Sequence, residues 1–362
     1  MQRLEYRVTF TTPAFLGNAD RQGQWRTPPF KALLRQWWRV VYAPKVGFDV
    51  DTLRREEGRL FGVAVDGGES RQSKVRLRLS GGWGRGDYSQ IEDSGRICHP
   101  EVEKGGPPCA VGAGRKIEAN LYLGYGPIGV KGLSRPPAIS PTAAKANTLA
   151  VAGPKQDMQP LMQAIALAEW FGTIGSRSRN GWGAVEFDAI GETPSIARLS
   201  AVGLADVERP LAQCLQLDWP HAVGVDGNGP LVWLTQQLGS WREVMKELAR
   251  IKIAFRTQPA LSLAGIAPGK FAARHLLAYP VTHHPVNASG WGNQGRLGNQ
   301  LRFKVMKKDG QWTGVLVHLP CRLPTEMIAA LPPHLQSNLD AVALETWQAV
   351  HRVLDKNAVR LI

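Results

Sequence analysis

The stretch from Thr12 to Arg39, TPAFLGNADRQGQWRTPPFKALLRQWWR, decides how the rest of the chain is organised. It follows a strand in which apolar residues alternate with polar ones, and a polar loop leads from it into a helix of roughly residues 28–43. Pro28 and Pro29 suit the first turn of that helix, where a missing N–H is tolerated. The residues with helical spacing on its apolar face are Phe30, Leu34, Trp37 and Val41.

The same helix carries a second, basic row of side chains. Lys31, Arg35 and Arg39 follow each other at intervals of four, and Trp38 lies beside them. Most charged rows are solvated helix faces, and that interpretation is open here. A purely cationic row repels itself unless an anion lies across it, however, and this row follows a glycine-containing loop. We therefore favour a contact with a nucleic-acid phosphate backbone.

This stretch resembles the N-terminal signature of RAMP proteins, which are RNA-binding subunits of CRISPR effector complexes. The resemblance is closest to the RAMP subunit at one end of the type III-B Cmr complex, in which a TP-x-FLGG loop leads into an RPPSFKGLLRFWWR helix. Two positions depart from that pattern: Asn18 replaces the second loop glycine and Ala32 replaces a helix glycine. The resemblance covers residues 4–190 best and implies ferredoxin-like domains that bind RNA.

The overall charge agrees with a nucleic-acid partner. The formal net charge is +14 with a pI near 9.9, and basic residues outnumber acidic ones in both halves of the chain. A basic protein of this kind most often meets nucleic acid, although charge alone does not distinguish RNA from DNA or from an acidic protein. The sequence has no 18-residue apolar run and begins without a signal-peptide pattern, so we expect a cytoplasmic protein with no membrane partner.

The four cysteines, Cys98, Cys109, Cys214 and Cys321, contain no CxxC pair. Cys98, His99 and Cys109 could supply three zinc ligands, but the spacing fits no common site and the fourth ligand has no candidate. Reduced thiols are the favoured interpretation for a cytosolic protein. We therefore predict neither a metal nor a cofactor.

The pattern over residues 1–195 predicts a first domain with the order β-α-β-β-α-β, the ferredoxin-like or RRM-like arrangement. After the first helix come strands near residues 75–79 and 117–123, a helix near 158–171 and a closing strand at 184–187. Arg76 and Arg78 alternate with apolar residues in the second strand. They would either follow a phosphate chain or protect a sheet edge, and the sequence leaves both open.

A glycine-rich loop, Gly172–Gly183, precedes the closing strand. Glycines permit positive φ and close approach to a ligand, and successive free N–H groups can form an anion-binding nest. The alternative is a mobile basic turn. The loop resembles the glycine-rich loop that defines RAMP proteins and contacts RNA backbone, and RNA contact is therefore favoured. Its candidate binding residues are Gly175, Ser176, Arg177, Ser178, Arg179 and Asn180.

Residues 205–362 are predicted to form a second, diverged ferredoxin-like domain. Ser240 and Glu243 mark the start of a helix that continues to about residue 254. Strands are predicted within 215–225 and at 274–282, 301–306 and 312–319, with a hairpin turn at residues 308–310 and a final helix within 332–355. The fold class is therefore α+β, with two RAMP domains in tandem.

The sequence offers little support for catalysis. RAMP ribonucleases commonly use a histidine near the first helix, but no histidine precedes His99. Others use a metal-bound aspartate in the loop after the first strand, where Asp20 lies. His275, His283 and His284 are interpreted as structural, because adjacent strand residues point to opposite faces. We favour a protein that is not an enzyme, with Asp20-dependent RNA cleavage as the minority alternative.

The resemblance and the basic motifs together predict a non-catalytic RNA-binding subunit of a type III-B CRISPR ribonucleoprotein. Its expected partners are the guide RNA near its 3′ end, the target RNA and other RAMP subunits. A second alternative is a protein-interaction cap whose tryptophan-rich surface contacts neighbouring subunits and makes little contact with RNA.

Overall fold

The computed structural model of the protein describes residues 1–20, 22–66, 69–81 and 84–362. The strands are β1 (Gln2–Phe10), β2 (Val63–Asp66), β3 (Glu69–Arg71), β4 (Arg76–Leu79), β5 (Tyr88–Gln90), β6 (Arg96–His99), β7 (Arg115–Glu118), β8 (Leu133–Ala138), β9 (Asn147–Gly153), β10 (Val185–Ala189), β11 (Glu208–Pro210), β12 (Val223–Asp226), β13 (Gly229–Pro230), β14 (Val232–Leu234), β15 (Leu301–Lys308), β16 (Gln311–His318) and β17 (Val359–Arg360). The helices are α1 (Thr27–Tyr42), α2 (Val50–Phe61), α3 (Ala119–Gly124), α4 (Met158–Phe171), α5 (Leu211–Cys214), α6 (Trp241–Arg256), α7 (Thr325–Ala329) and α8 (Pro333–Asn357).

The first half contains a four-stranded antiparallel sheet in the order β10-β1-β9-β4. The apolar residues of β1 are buried, as their alternation predicts, and α1 packs against α4. In chain order the elements are β1-α1-β4-β9-α4-β10, so the strands stand in the spatial order 4-1-3-2. The predicted first helix is confirmed, with Pro28 and Pro29 in its first turn.

Between β4 and β9 the chain forms two further antiparallel pairs, β5 with β8 and β6 with β7, and the short helix α3. The strand predicted over residues 117–123 is therefore wrong beyond Glu118. Ala119 and Leu123 are both buried, and their spacing of four places them on one side of α3, which packs against α6. A short apolar run fits a buried helix as well as a strand, and periodicity alone does not separate the two.

The second half contains a sheet in the order β15-β16-β14-β17, again antiparallel. Its elements run β14-α6-β15-β16-α8-β17 along the chain, which gives the same spatial order, 4-1-3-2, as in the first half. The predicted hairpin turn is confirmed: Asp309 and Gly310 have φ of 51° and 78°. Ser240 caps α6, because its hydroxyl accepts from the Glu243 N–H at 3.3 Å.

The strand predicted over residues 274–282 is wrong. Residues Ala273–Leu276 form a 3₁₀ turn, and residues 277–282 contribute only one isolated bridge, at Tyr279. The reason is local, because His275 Nδ1 lies 2.9 Å from the Ala272 amide and 3.1 Å from its carbonyl oxygen. Such side-chain contacts compete with the regular backbone ladder of a strand.

The two halves share their interior. Each of the two large hydrophobic cores contains residues from both halves, and no helix or strand is present over residues 190–201. In β15, Leu301, Phe303 and Val305 belong to the core beneath α6. Arg302 points the other way and lies 5.6 Å from the centre of the Trp37 ring of α1. The second sheet is thus covered on both faces.

Lys304 is a buried polar link between the halves. Its ammonium group is buried and donates hydrogen bonds to the carbonyl oxygens of Ala168 at 3.2 Å and Val185 at 2.6 Å, and also to that of Glu169. Two of these oxygens belong to the last turn of α4, where the helix dipole favours a cation. A lysine from the second half therefore stabilises a helix end in the first half.

Candidate nucleic-acid interface

The glycine-rich loop is held against the segment that follows β1. The Ser176 amide donates to the Phe15 carbonyl oxygen at 3.1 Å, and the Gly183 amide donates to that of Pro13 at 3.0 Å. Gly175 has φ of 95°, and a Cβ at this position would lie 2.6 Å from the Phe15 oxygen. Glycine is therefore required here for packing against the chain itself. The two sequence motifs that carry the RAMP resemblance are neighbours in space.

A cleft with a volume of about 1160 Å³ opens beside this loop. One wall is the loop itself, another is the segment after β6, and the third comes from the second half of the chain. Its lining includes His99, Glu101, Glu103, Tyr122, Arg177, Ser178, Arg179, Asn180, Lys252, Arg256, Arg274, His283, His284 and Asn299. Five lysines and arginines thus face the cleft against two carboxylates, which gives it a positive field.

Four of these cations form no ion pair within the described part of the chain. Arg177 is exposed, and its Nε donates to the Tyr125 carbonyl oxygen at 2.7 Å. Arg179 is half-buried and donates to the Asn299 carbonyl oxygen at 3.4 Å. Arg256 lines the cleft without a hydrogen-bond partner among these residues. The fourth cation is Lys252.

Lys252 lies at the back of the cleft. Its ammonium group donates to Asn180 Oδ1 at 2.8 Å and lies 5.5 Å from the centre of the Tyr122 ring. Burial lowers the pKa of Lys252 well below its ordinary value, and the charges of Arg256 and Arg177 lower that pKa further. Burial also lowers the pKa of Arg179. An anion bound in the cleft would relieve this repulsion.

The remaining cation is neutralised. The guanidinium of Arg274 is buried and binds both carboxylate oxygens of Glu101, with 2.7 Å between Nη1 and Oε2. This pair joins the wall after β6 to the second half. The same wall begins at a disulfide between Cys98 and Cys109, so the prediction of reduced thiols there is wrong. Cys214 and Cys321 are free and buried.

Two arginines of the basic row on α1 form ion pairs with a glutamate of the same chain. Glu57 of α2 is buried and accepts from Arg35 Nε at 2.6 Å and from Arg39 Nε and Nη2 at 2.7 Å each. The anion that the row requires is thus a carboxylate 18 residues away from Arg39 along the chain, and the expectation of an unopposed cationic row is wrong. Lys31 is not part of this cluster, and burial followed by the charge of Arg35 lowers its pKa.

The burial of Trp38 also contradicts its expected role as a binding residue. Its side chain is 1% exposed, stacks on Tyr42 and contacts the edge of Phe61. A ring enclosed in this way belongs to the core and has no free face for a base. The described residues form no tryptophan-rich surface of the kind that the interaction-cap alternative assumes, because none of their tryptophans is exposed.

Arg76 and Arg78 are exposed on β4, which forms one edge of the first sheet. The glycine-rich loop leads into β10 at the opposite edge. The structure therefore does not bring these two arginines together with the cleft. It is compatible with the edge-protecting role that the sequence left open.

The candidate catalytic residues are dispersed. Asp20 is exposed in the loop after β1. In the described ranges, no group of three His, Cys, Asp or Glu side chains is placed to hold a metal ion, including Cys98, His99 and Cys109. His283 and His284 face the cleft, and His283 has a positive φ of 61°. His275 Nε2 lies 3.0 Å from the His284 carbonyl oxygen, which is a structural contact.

Lys252 and Arg256 are the site residues that sequence reasoning missed. They are four residues apart on α6 and therefore share one helix face. The spacing of this cationic pair is visible in the sequence. What the sequence conceals is that this face of α6 meets the glycine-rich loop, because that contact joins residues 72 positions apart.

The sequence matches no protein-family model and no curated protein. Among solved structures, the chain is similar to Cmr1 from Pyrococcus furiosus in its apo form, at 14% identity over 95% of this chain and 97% of that one, with a TM-score of 0.44. It is also similar to a chain of the type III-B Cmr-beta complex bound to cognate target RNA and AMPPnP in the presence of ssDNA, at 10% identity over 98% of each chain, with a TM-score of 0.48. A second Cmr-beta structure, bound to cognate target RNA, gives 10% identity over 96% and 99% of the two chains, with a TM-score of 0.43.

No helix in the described part of the chain is both long and apolar enough to cross a membrane.

Proposed function

We propose that this protein is a non-catalytic RNA-binding subunit of a type III-B CRISPR ribonucleoprotein. In this proposal it contacts the 3′ region of the guide RNA and helps to capture target RNA, together with other RAMP subunits. The observation that carries the proposal is the convergence of Arg177, Arg179, Lys252 and Arg256 on one cleft without carboxylate partners in the described residues.

The chemistry of the cleft suits a phosphate backbone. Arginines bind phosphate oxygens through two parallel N–H groups, and each contact releases counterions from the nucleic acid. The cleft also offers the hydroxyl of Ser178, which can bond to ribose or base edges. Single-stranded RNA exposes all of these groups, whereas the bases of a duplex are stacked and paired.

The order of the strands and helices also supports the proposal of a RAMP subunit. We infer that the two halves are tandem ferredoxin-like RAMP domains, since each has the element order β-α-β-β-α-β and the strand order 4-1-3-2. The TPAFLG segment and the glycine-rich loop, which carry the sequence resemblance, pack against each other beside the cleft. This placement supports RNA as the ligand that we propose for the cleft.

The test is a salt titration of the affinity for a labelled single-stranded RNA, with Arg177→Ala/Arg256→Ala compared with the wild type. Loss of two phosphate contacts should weaken binding for all sequences and reduce the slope of log K against log salt by about 1.4. Arg76→Ala/Arg78→Ala is the matched control, because it removes the same charge from the distant sheet edge. Equal slopes for the wild type and the cleft variant would contradict the proposal.

The same experiment addresses catalysis. Wild type and Asp20→Ala are incubated with the RNA and Mg²⁺, and the products are separated on a gel. We expect intact RNA in both cases. Cleavage that disappears in Asp20→Ala would replace the proposal with the nuclease alternative, whereas a protein that binds no RNA at all would point to the interaction cap.

A further inference from the structure

Tyr125 is an unusual surface residue of this protein. It is 68% exposed, and no other Phe, Trp or Tyr side chain in the described ranges is exposed. It directly follows α3. Leaving a tyrosine ring in water forgoes the free energy that its burial would supply, and the chain buries or half-buries its other described Phe, Trp and Tyr residues.

The backbone of Tyr125 is fixed even though its ring is free. The Tyr125 carbonyl oxygen accepts from Arg177 Nε at 2.7 Å, and Tyr125 forms a bridge with Ile128. Gly126 follows with φ of 111°. Within the described residues, the ring makes no aromatic or cation–π contact. An aromatic ring on a fixed backbone loses little entropy when a ligand stacks on it.

Arg177 connects this ring to the cleft. Arg177 lines the cleft and its Nε donates to the Tyr125 carbonyl oxygen, so Tyr125 directly adjoins a cleft-lining residue. Arg177 itself has a positive φ of 57°, a conformation that non-glycine residues rarely adopt. A ligand whose anionic group reaches Arg177 would bring its adjacent group to Tyr125.

We propose that Tyr125 is a stacking platform for one unpaired nucleobase of a single-stranded RNA whose adjoining phosphate contacts Arg177. This inference rests on the proposed function, since it assumes that RNA occupies the cleft. Proteins that bind single-stranded RNA combine a cationic groove with aromatic rings on which bases stack, and every base offers a π-face to such a ring. The site therefore selects unpaired RNA over duplex without selecting a base.

The experiment measures the affinity of full-length protein for a short fluorescein-labelled oligouridine and for the same strand with one abasic nucleotide at successive positions. The variants are Tyr125→Ala, Tyr125→Phe and, as the matched control, Leu133→Ala, which trims another exposed apolar residue nearby in sequence. Tyr125→Ala should weaken binding about tenfold, which corresponds to one base–aromatic stack. Tyr125→Phe and Leu133→Ala should stay within about twofold of the wild type.

The abasic strands identify the contact. At one position the abasic nucleotide should weaken wild-type binding, and there Tyr125→Ala should add no further loss. The salt slope should be the same in wild type and Tyr125→Ala. Equal affinities of wild type and Tyr125→Ala for oligouridine would overturn the inference while leaving cleft binding intact. A loss of assembly with other subunits at unchanged RNA affinity would overturn it in favour of a protein contact, and absence of RNA binding by the wild type would overturn both proposals.

Discussion

The ammonium group of Lys252 and the side-chain oxygen of Asn180 are joined by a hydrogen bond of 2.8 Å. Asn180 also donates to the Leu123 carbonyl oxygen at 2.8 Å. One buried amide therefore connects α6, the glycine-rich loop and α3. This contact orients Lys252 toward the cleft and leaves its remaining two N–H donors for a ligand.

Lys252 should make RNA affinity depend on pH. Burial, Arg256 and Arg177 lower its pKa in the free protein, and a bound phosphate would raise that pKa again. Binding then takes up a proton, so affinity should fall as pH rises through the lowered pKa. Lys252→Arg keeps the cation protonated throughout and should abolish that part of the pH dependence. Measuring affinity against pH for both proteins checks this, and parallel profiles would contradict it.

Glu57 should stabilise the packing of α2 against α1. Burial acts to raise its pKa, but the hydrogen bonds and charges of Arg39 and Arg35 outweigh burial and lower it. A lowered pKa in the folded state gives stability that is present above the unfolded pKa of about 4.3 and is lost as pH falls through the folded value. Glu57→Gln should lower the free energy of unfolding by about 2 kcal/mol at pH 7, which urea denaturation would measure.

The stability of both proteins at low pH is the control for that prediction. Below the folded pKa the wild-type carboxyl is protonated, so the two proteins should converge in stability. Arg35→Ala/Arg39→Ala should reproduce the loss at pH 7 by leaving Glu57 buried without a cation. A double variant that is fully stable yet weak in RNA binding would restore the phosphate-contact interpretation of this helix.

Lys304→Met should destabilise the whole protein by about 3 kcal/mol, because the change removes a buried cation from three carbonyl oxygens and from nearby carboxylates. Burial raises the pKa of Glu169 to about 7 even with Lys304 nearby. A raised folded pKa gives stability that is lost as pH rises, and without the lysine this loss should be larger. Urea midpoints at pH 5 and pH 8 would show a greater deficit at pH 8, and Lys155→Met, on the surface, serves as the charge-matched control.

Gly175→Ala should lower both stability and RNA affinity. The new Cβ would lie 2.6 Å from the Phe15 oxygen and would occupy a residue with φ of 95°, so the loop must shift away from the TPAFLG segment. Gly17→Ala is the matched control, because no atom lies within 4 Å of its added Cβ. Thermal melting and RNA titration of both variants give the comparison. A Gly175→Ala protein that behaves like Gly17→Ala would show that the loop tolerates displacement.

Local sequence signals predicted several elements of the fold correctly. The alternation in β1, the prolines of α1, the cap of α6 and the turn between β15 and β16 all follow from local rules. Residues 119–123 and 274–282 were mispredicted, because short apolar runs carry too little periodicity and because the His275 side chain bonds to the backbone of Ala272. The domain limits at residues 195 and 205 stay predictions.

The site was predicted only in part. The glycine-rich loop was identified, since glycine spacing and arginines are local signals. The pairing of Arg35 and Arg39 with Glu57 could not be foreseen, because it depends on how α2 folds back onto α1. The same holds for Lys252 and Arg256, which join the loop only through tertiary packing.

The hydrophobic cores shared by the two halves hold the walls of the cleft in place. Each half completes the interior of the other, and Lys304 ties the second sheet to the end of α4, so the walls are set when the chain folds. A preorganised cleft loses little conformational entropy on association and needs no hinge closure. Under the proposed function, the flexible single-stranded RNA would therefore lose most of the conformational entropy on binding.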